Sequence, residues 1–430
     1  MRRHSNRSAA LLPEDLRYDA HALALFIGRV FGVPVPETLV RHLPWDQRPQ
    51  EPKTRANAPD KRCIVQEWDE TTIQVVVDED GGGETMTVRY AEDTQYARME
   101  YLAHILRQGM HLNLLGCHVE GGVITPRLII VEPDCLLDIS TIAGCFEDYG
   151  HHPLLYVVSR MKAKANSQAI LLGNFAGSAL DDIINNPSFD ERQTLVNSFK
   201  ERAMEYSTCP DFDPVAFKQD AAAQVQHLQQ IVNELRQHAD LGKAILEPSF
   251  ICERLGIQGR VDLMTTDLRL LVEQKSGRNI FLERNYNNAH GTKVVEKHYV
   301  QVLLYYGILY YNFHLQNTDI RLIYSTYPLP EGLMGLTNLM KLTYEALRFR
   351  NEAIALEFDI ASRGFDHVLP QLTADNLNVA RKHDFFYERY LRPPLEATLA
   401  PLQRLQGLER KYFCRMMQFV VRENLMSKVG

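Results

Sequence analysis

Asp262, Glu273 and Lys275 fall within one short stretch, GIQGRVDLMTTDLRLLVEQKSGRN, residues 256–279. The spacing predicts an apolar strand over 261–264 that holds Asp262, a turn at Thr265-Thr266-Asp267, and a second apolar strand over 270–273 that delivers Glu273 and Lys275. Residues two apart on a strand share a face, so Glu273 and Lys275 project together, and a hairpin can bring Asp262 beside them. Two carboxylates and a backbone carbonyl, here that of Gln274, are hard oxygen donors suited to one or two Mg²⁺ ions. Such a metal would acidify a bound water and stabilise charge on a phosphate, while Lys275 would orient the water or neutralise that charge. The same letters also occur on an exposed strand edge, where alternating charges face solvent. Against that reading, VDLM and LLVEQK embed their charges in apolar runs, where a charge is costly unless it is used.

The elements that would position these residues can be read outward from them. A helix is expected over 294–311, and KHYVQVLLYYGILYY places Gln301 and Tyr305 four apart on one face. An apolar strand follows at 320–324 and ends in prolines. Residues 153–238 read as mainly helical, and in 224–235 the residues Val225, Leu228, Ile231, Val232 and Leu235 form a core-facing stripe. Upstream, 63–68, 72–77 and 85–90 read as strands, 96–115 as a helix, and 117–124 and 127–132 as two further strands. That order fits a small five-stranded, OB-like barrel, and it fits many plain α+β units as well. Residues 20–43 read as a helix and 44–62 as a proline-bearing linker. The region beyond Asn338 is mostly helical, and there is no internal repeat. The division expected is an N-terminal helix and linker at 1–61, a β-rich unit at 62–150, an α/β (α+β) unit carrying the motif at 151–335, and a helical region at 336–430.

GRVD, then EQKSG, then QVLLY occur in this order. Together they resemble the RecB-like nucleases of the PD-(D/E)XK superfamily, and most closely the nuclease domains of flap-processing helicase–nucleases and their CRISPR-associated exonuclease relatives. The resemblance covers roughly residues 150–330. It implies a restriction-endonuclease-like core, Mg²⁺ or Mn²⁺ held by Asp262, Glu273 and the Gln274 carbonyl, and Lys275 as the catalytic lysine. Gln301 and Tyr305 would position the lysine and the substrate strand. The substrate implied is DNA, single-stranded or flapped. An alternative is a catalytically impaired nuclease fold that serves as a DNA-binding or scaffolding module.

Two departures bear on that alternative. Relatives of this branch carry a histidine on an early helix as an extra metal ligand, but LLGNFAGSALDDII puts Gly177 at that position. Asp181 or Asp182, one turn on, is a candidate substitute, as is Glu247 in EPSF, although both aspartates also read as ordinary solvent-facing residues. The iron–sulfur cysteines of many relatives are missing too. The seven cysteines are scattered and form no C-x-x-C pair, so no cluster is expected and the pattern reads as reduced thiols.

Arg260, Arg278, Lys293 and Lys297 are candidates for holding phosphates, with Arg284 and His298 nearby. Tyr306, Tyr310 and Tyr311 would line a strand groove by stacking, or simply fill the core. The net charge of −7 argues against a surface that is basic throughout, but not against a basic groove. No G-x-x-x-x-G-K-(S/T) loop occurs, so a helicase motor would have to lie elsewhere, in the same or a separate chain. With no apolar run of membrane-spanning length and no secretory leader pattern, the expected setting is cytoplasmic, away from membranes.

Overall fold

A computed structural model describes residues 60–77, 83–90, 98–162, 166–186, 188–277, 281–282 and 292–429, with backbone alone at 281–282, 292–293 and 429. The helix expected over 20–43, the linker up to residue 59, Arg278 and Arg284 lie outside the described residues, as does the side chain of Lys293, while Lys61 and Arg62, expected in the linker, belong to the first strand. The fold is mixed α/β.

The first sheet grows from strands with period-two burial. In β2 (Thr72–Val77), Ile73, Val75 and Val77 are buried and alternate with half-exposed residues. It pairs antiparallel with β1 (Lys61–Trp68) on one side and β3 (Glu84–Arg89) on the other. The helix expected over 96–115 is reduced to one short turn, α1 (Leu102–Ile105). Gly109, at φ +80°, turns the chain, and β4 (His111–Leu115) follows, with Leu112 and Leu114 buried and pairing to β1. The strand expected over 117–124 is instead a hairpin of β5 (His118–Glu120) and β6 (Val123–Thr125). It turns on Gly121 and Gly122, both at positive φ, the requirement of a two-residue type I′ turn.

β6 runs parallel to β3, and β7 (Leu128–Val131), two residues further on, runs antiparallel to β4. One nine-residue run therefore supplies β6, next to the β5 edge, and β7, the opposite edge, of the order β5-β6-β3-β2-β1-β4-β7.

The second sheet carries the motif. Two helices lead into it: α2 (Gln168–Asn185), and α3 (Pro214–His238), which begins on an Asp213 cap with proline in its first turn. The chain then runs through β8 (Ala244–Leu246), β9 (Ser249–Cys252), β10 (Ile257–Arg260), β11 (Leu263–Thr265) and β12 (Leu270–Lys275), of which β9 and β10 leave this sheet and form a separate three-stranded one with Leu137–Asp138. Helix α4 (Glu296–Phe313) then crosses over to β13 (Asp319–Tyr324), and β14 (Leu333–Leu336) follows. The sheet order is β8-β11-β12-β13-β14, with β12 and β13 parallel and the other pairs antiparallel. A parallel pair requires a crossover, and here that crossover lays α4 over one face of the sheet.

Alternation divides β12 between two cores. Leu270 and Val272 pack with Ile323, α2 and α3, among them Leu228, Ile231, Val232 and Leu235 of the expected stripe. Leu271 packs on the opposite face with Leu322, Tyr324 and the buried side of α4. Each such burial is worth about 1.5–3 kcal/mol, so a one-residue slip of β12 would cost several of these at once.

Helix α5 (Met340–Arg363) packs against β7, α4 and the terminal helix α6 (Gly407–Val429). Arg350 of α5 is fully buried. Its guanidinium donates to the carbonyls of Gly256 (3.1 Å), Glu132 (2.8 Å) and Cys135 (2.8 Å), and to that of Val131. Asn351 accepts from Val131 N–H (3.1 Å) and donates to Ile129 O (2.8 Å). Among the described residues no helix is long and apolar enough to cross a membrane.

Candidate active site

The site forms where β12 outruns its antiparallel neighbour. Pairing with β11 ends at Leu263–Val272, and the carboxylate of Asp262 takes up the next N–H, that of Gln274, at 2.6 Å. In a strand the N–H and C=O of one residue point to the same side, so the Gln274 carbonyl also faces the Asp262 edge. Burial raises the Asp262 carboxyl, against the pull of the Gln274 N–H and of Lys275.

Glu273 and Lys275 share the face covered by α4, as their spacing predicts. Glu273 is 3% exposed. Its Oε1 accepts from Lys275 Nζ and from Gln301 Nε2, both at 2.6 Å. Its Oε2 is buried and has no partner at ordinary hydrogen-bond geometry, with the Asp262 backbone N–H the donor near this carboxylate. Burial, and then the charge on Asp262, push this carboxyl up to about 7 while Lys275 pulls it down.

Gln301 reaches Glu273 rather than Lys275, and it also donates to the Tyr305 oxygen. The Tyr305 hydroxyl in turn donates to the carbonyl of Arg260. Tyr305 is thus a buried brace between α4 and the approach to Asp262. The glycine of GRVD makes room for it: a Cβ on Gly259 would lie 2.9 Å from Tyr305 Cε1 and 3.1 Å from its oxygen.

On the opposite face, α2 presents Gly173, Gly177 and Asp181, each four residues apart. A Cβ at 173 would sit 3.0 Å from Ser276 Oγ, and one at 177 would sit 3.9 Å from Gln274 Oε1. Position 177 therefore looks onto the motif strand with no side chain of its own. Asp181 is raised to about 7 by burial first, then by the charges of Glu247 and Asp262. It faces this acidic group, contrary to the solvent-facing reading. Asp182 turns away to accept from Thr194. Glu247, at φ +49°, pairs with Arg260 at 3.0 Å and donates its own N–H to Asp262 O.

A polar chain that the sequence reading passed over supports Gln274. Its Nε2 donates to Ser325 Oγ at 3.0 Å, and Ser325 donates to Gln224 Oε1 at 2.7 Å. Gln224 is a buried polar residue at the head of the apolar stripe of α3, and that misfit was the available signal.

The candidate phosphate-holding residues are dispersed. Arg260 is exposed and paired with Glu247, and Lys297 lies 3.6 Å from Glu147. His298 is no phosphate donor of the charged kind: it is buried, and burial followed by the charges of Lys275 and Lys297 pulls it down to about 3. Of the tyrosines, Tyr306 belongs to the core, Tyr311 packs partly buried against it and Tyr310 is half-buried. Tyr306 is buried with its hydroxyl on Gln316 O, and Tyr310 and Tyr311 pack edge to face. All seven cysteines are free and buried.

Among the described residues no three or more His, Cys, Asp or Glu side chains converge to hold a metal. Asp262, the unpartnered oxygen of Glu273 and the Gln274 carbonyl make a two-carboxylate oxygen set that suits a hydrated hard cation, since Mg²⁺ keeps several waters and uses one or two carboxylates.

No protein-family model and no curated protein matches this chain. Among solved structures, one described as a putative exonuclease from Eubacterium rectale aligns at 13% identity over 52% of this chain and 81% of its own, with a TM-score of 0.33. A likeness that slight bears on neither chemistry nor substrate.

Proposed function

We propose that this chain is a metal-dependent nuclease of the RecB-like PD-(D/E)XK kind that cuts single-stranded or flap DNA. The observation that carries the reading is Glu273: a buried carboxylate with one oxygen held by Lys275 and Gln301, the other without a partner at ordinary hydrogen-bond geometry, and Asp262 charge-coupled to it. A carboxylate held that way in an apolar strand is costly to the fold and is explained by a cation.

Asp262, Glu273 and the Gln274 carbonyl would hold Mg²⁺ or Mn²⁺. When bound, the ion would acidify a water and stabilise charge on the phosphate. Lys275 places an ammonium at the same carboxylate, where it can orient the attacking water or meet developing negative charge. Gln301 fixes the Glu273 carboxylate so that its second oxygen is the one offered. Tyr305 fixes the approach to Asp262 by holding the Arg260 carbonyl. In this reading the seven-stranded sheet at 61–131 forms an OB-like barrel that holds the unpaired strand, and a helicase motor, in the same or a separate chain, supplies that strand.

A second reading, a DNA-binding scaffold without cleavage, is favoured by one observation, the bare face at Gly177 toward Gln274. End-labelled single-stranded and flapped DNA with Mg²⁺ or Mn²⁺ separates the two. Cleavage that vanishes with chelator and in Lys275→Ala supports the nuclease. DNA binding with no cleavage in either metal leaves the scaffold.

A further inference from the structure

We propose that Tyr324 and His298 form a positioning relay, which locks the first turn of α4 against the Lys275 strand and so keeps Gln301 on Glu273. The inference rests on the nuclease reading for its kinetic consequence, though not for its geometry.

The relay starts from register. β13 runs parallel to β12, and Tyr324 is the partner of Lys275. Registered side chains of a parallel pair point to one face, so Tyr324 lies on the Lys275 face, under the start of α4, and is fully buried. Helix α4 begins after Val295, whose side chain cannot cap it. The Tyr324 hydroxyl instead ties down the N-cap residue itself from another strand. It accepts the Val295 N–H and lies 2.9 Å from His298 Nδ1.

With its oxygen already accepting from Val295, the hydroxyl is better placed to give its proton to Nδ1 than to accept a second N–H there. His298 is then the neutral tautomer with its proton on Nε2. Burial beside Lys275 and Lys297 opposes a third positive charge there. His298 also sits one turn ahead of Gln301, on the same side of the helix. A helix start free to rotate would carry Gln301 off an oxygen that it meets at 2.6 Å.

The test pairs a spectroscopic measurement with kinetics on the full chain. In protein labelled with ¹⁵N-histidine, His298, assigned by difference from His298→Asn, is expected to show the Nε2–H tautomer unchanged from pH 5 to 8. Tyr324→Phe is expected to abolish that signature. On single-stranded DNA with Mn²⁺, Tyr324→Phe and His298→Ala are expected to lose about tenfold or more in kcat, a loss of the kind misplaced groups produce, with KM held within about twofold. His298→Asn, which keeps an acceptor near Nδ1, should recover most of the rate. His298→Gln, whose amide reaches toward Nε2, should not.

An Nδ1–H tautomer, or titration of His298 between pH 5 and 8, overturns the relay. So does equal activity of the Asn and Gln variants, or a loss carried by KM. If the wild-type chain cleaves nothing, the nuclease reading fails, and the spectrum alone still decides the relay.

Discussion

Lys275 and Gln301 meet on the same oxygen of Glu273, one from the motif strand and one from the crossover helix, each at 2.6 Å. The two contacts differ in kind, because Lys275 brings charge and Gln301 brings only direction.

The first prediction separates them. Lys275→Ala should reduce cleavage by roughly 10²–10⁴-fold, the usual range for loss of a group that handles protons in the transition state. Gln301→Ala should cost less, about tenfold, because the ammonium still holds Oε1. Initial rates on end-labelled single-stranded DNA would show the order, and a reversed order would refute this division of roles.

The second concerns pH. Glu273 and Asp181 each lie near 7, above ordinary carboxyl values of 4.5 and 3.8. Folded values above unfolded ones mean that the stabilisation is complete below about pH 4 and is lost as pH rises toward 7. Without metal, Glu273→Gln should therefore gain stability on the wild type as pH rises from 5 to 8, by on the order of 1–3 kcal/mol. Adding Mn²⁺ should stabilise the wild type more at pH 8 than at pH 5. Urea melts at the two pH values measure both effects, and a metal response equal at both would contradict the assignment.

The third sets two glycines against each other. Gly259→Ala places a Cβ 2.9 Å from the Tyr305 ring and should cost about 1–3 kcal/mol by overpacking, with activity falling alongside. Gly177→Ala meets nothing nearer than 3.9 Å and lies within a helix, so it should stabilise by about 0.5–1 kcal/mol. Denaturant midpoints of the two variants should move in opposite directions.

The fourth distinguishes adjacent aspartates. Asp181→Asn removes a charge coupled to Asp262 and Glu247. It should weaken Mn²⁺ binding several-fold while making the metal-free chain more stable at pH 8. Asp182→Asn keeps an oxygen that can accept from Thr194 and should leave Mn²⁺ affinity within twofold. Titration calorimetry with Mn²⁺ on both variants checks this, and matching affinities would remove Asp181 from the site.

What could be read from the sequence was whatever depends on near neighbours. The two-residue spacing of Glu273 and Lys275 in an apolar strand fixed their common face, and the four-residue spacing of Gln301 and Tyr305 fixed theirs. What could not be read depends on distant partners. His298 looked like an available cation because nothing local says that Tyr324 lies against it. Leu112 and Leu114 lost their strand to a helical reading because Leu115 and Ile105 complete a helical spacing equally well, and only pairing with β1 and β7 decides between them. Asp181 and Asp182 are adjacent and chemically identical, so only the packing of α2 on the sheet tells them apart.

The buried guanidinium of Arg350 joins the end of the first sheet to the turn between β9 and β10, gripping carbonyls at Val131, Glu132 and Cys135 on one side and Gly256 on the other. Letting go would strand a charge and four acceptors away from water, so the joint cannot serve as a hinge. On the proposed nuclease reading, a DNA end held on the first sheet would then meet Glu273 at a set span, and the molecule would measure its product like a ruler, releasing fragments of nearly uniform length instead of a ladder.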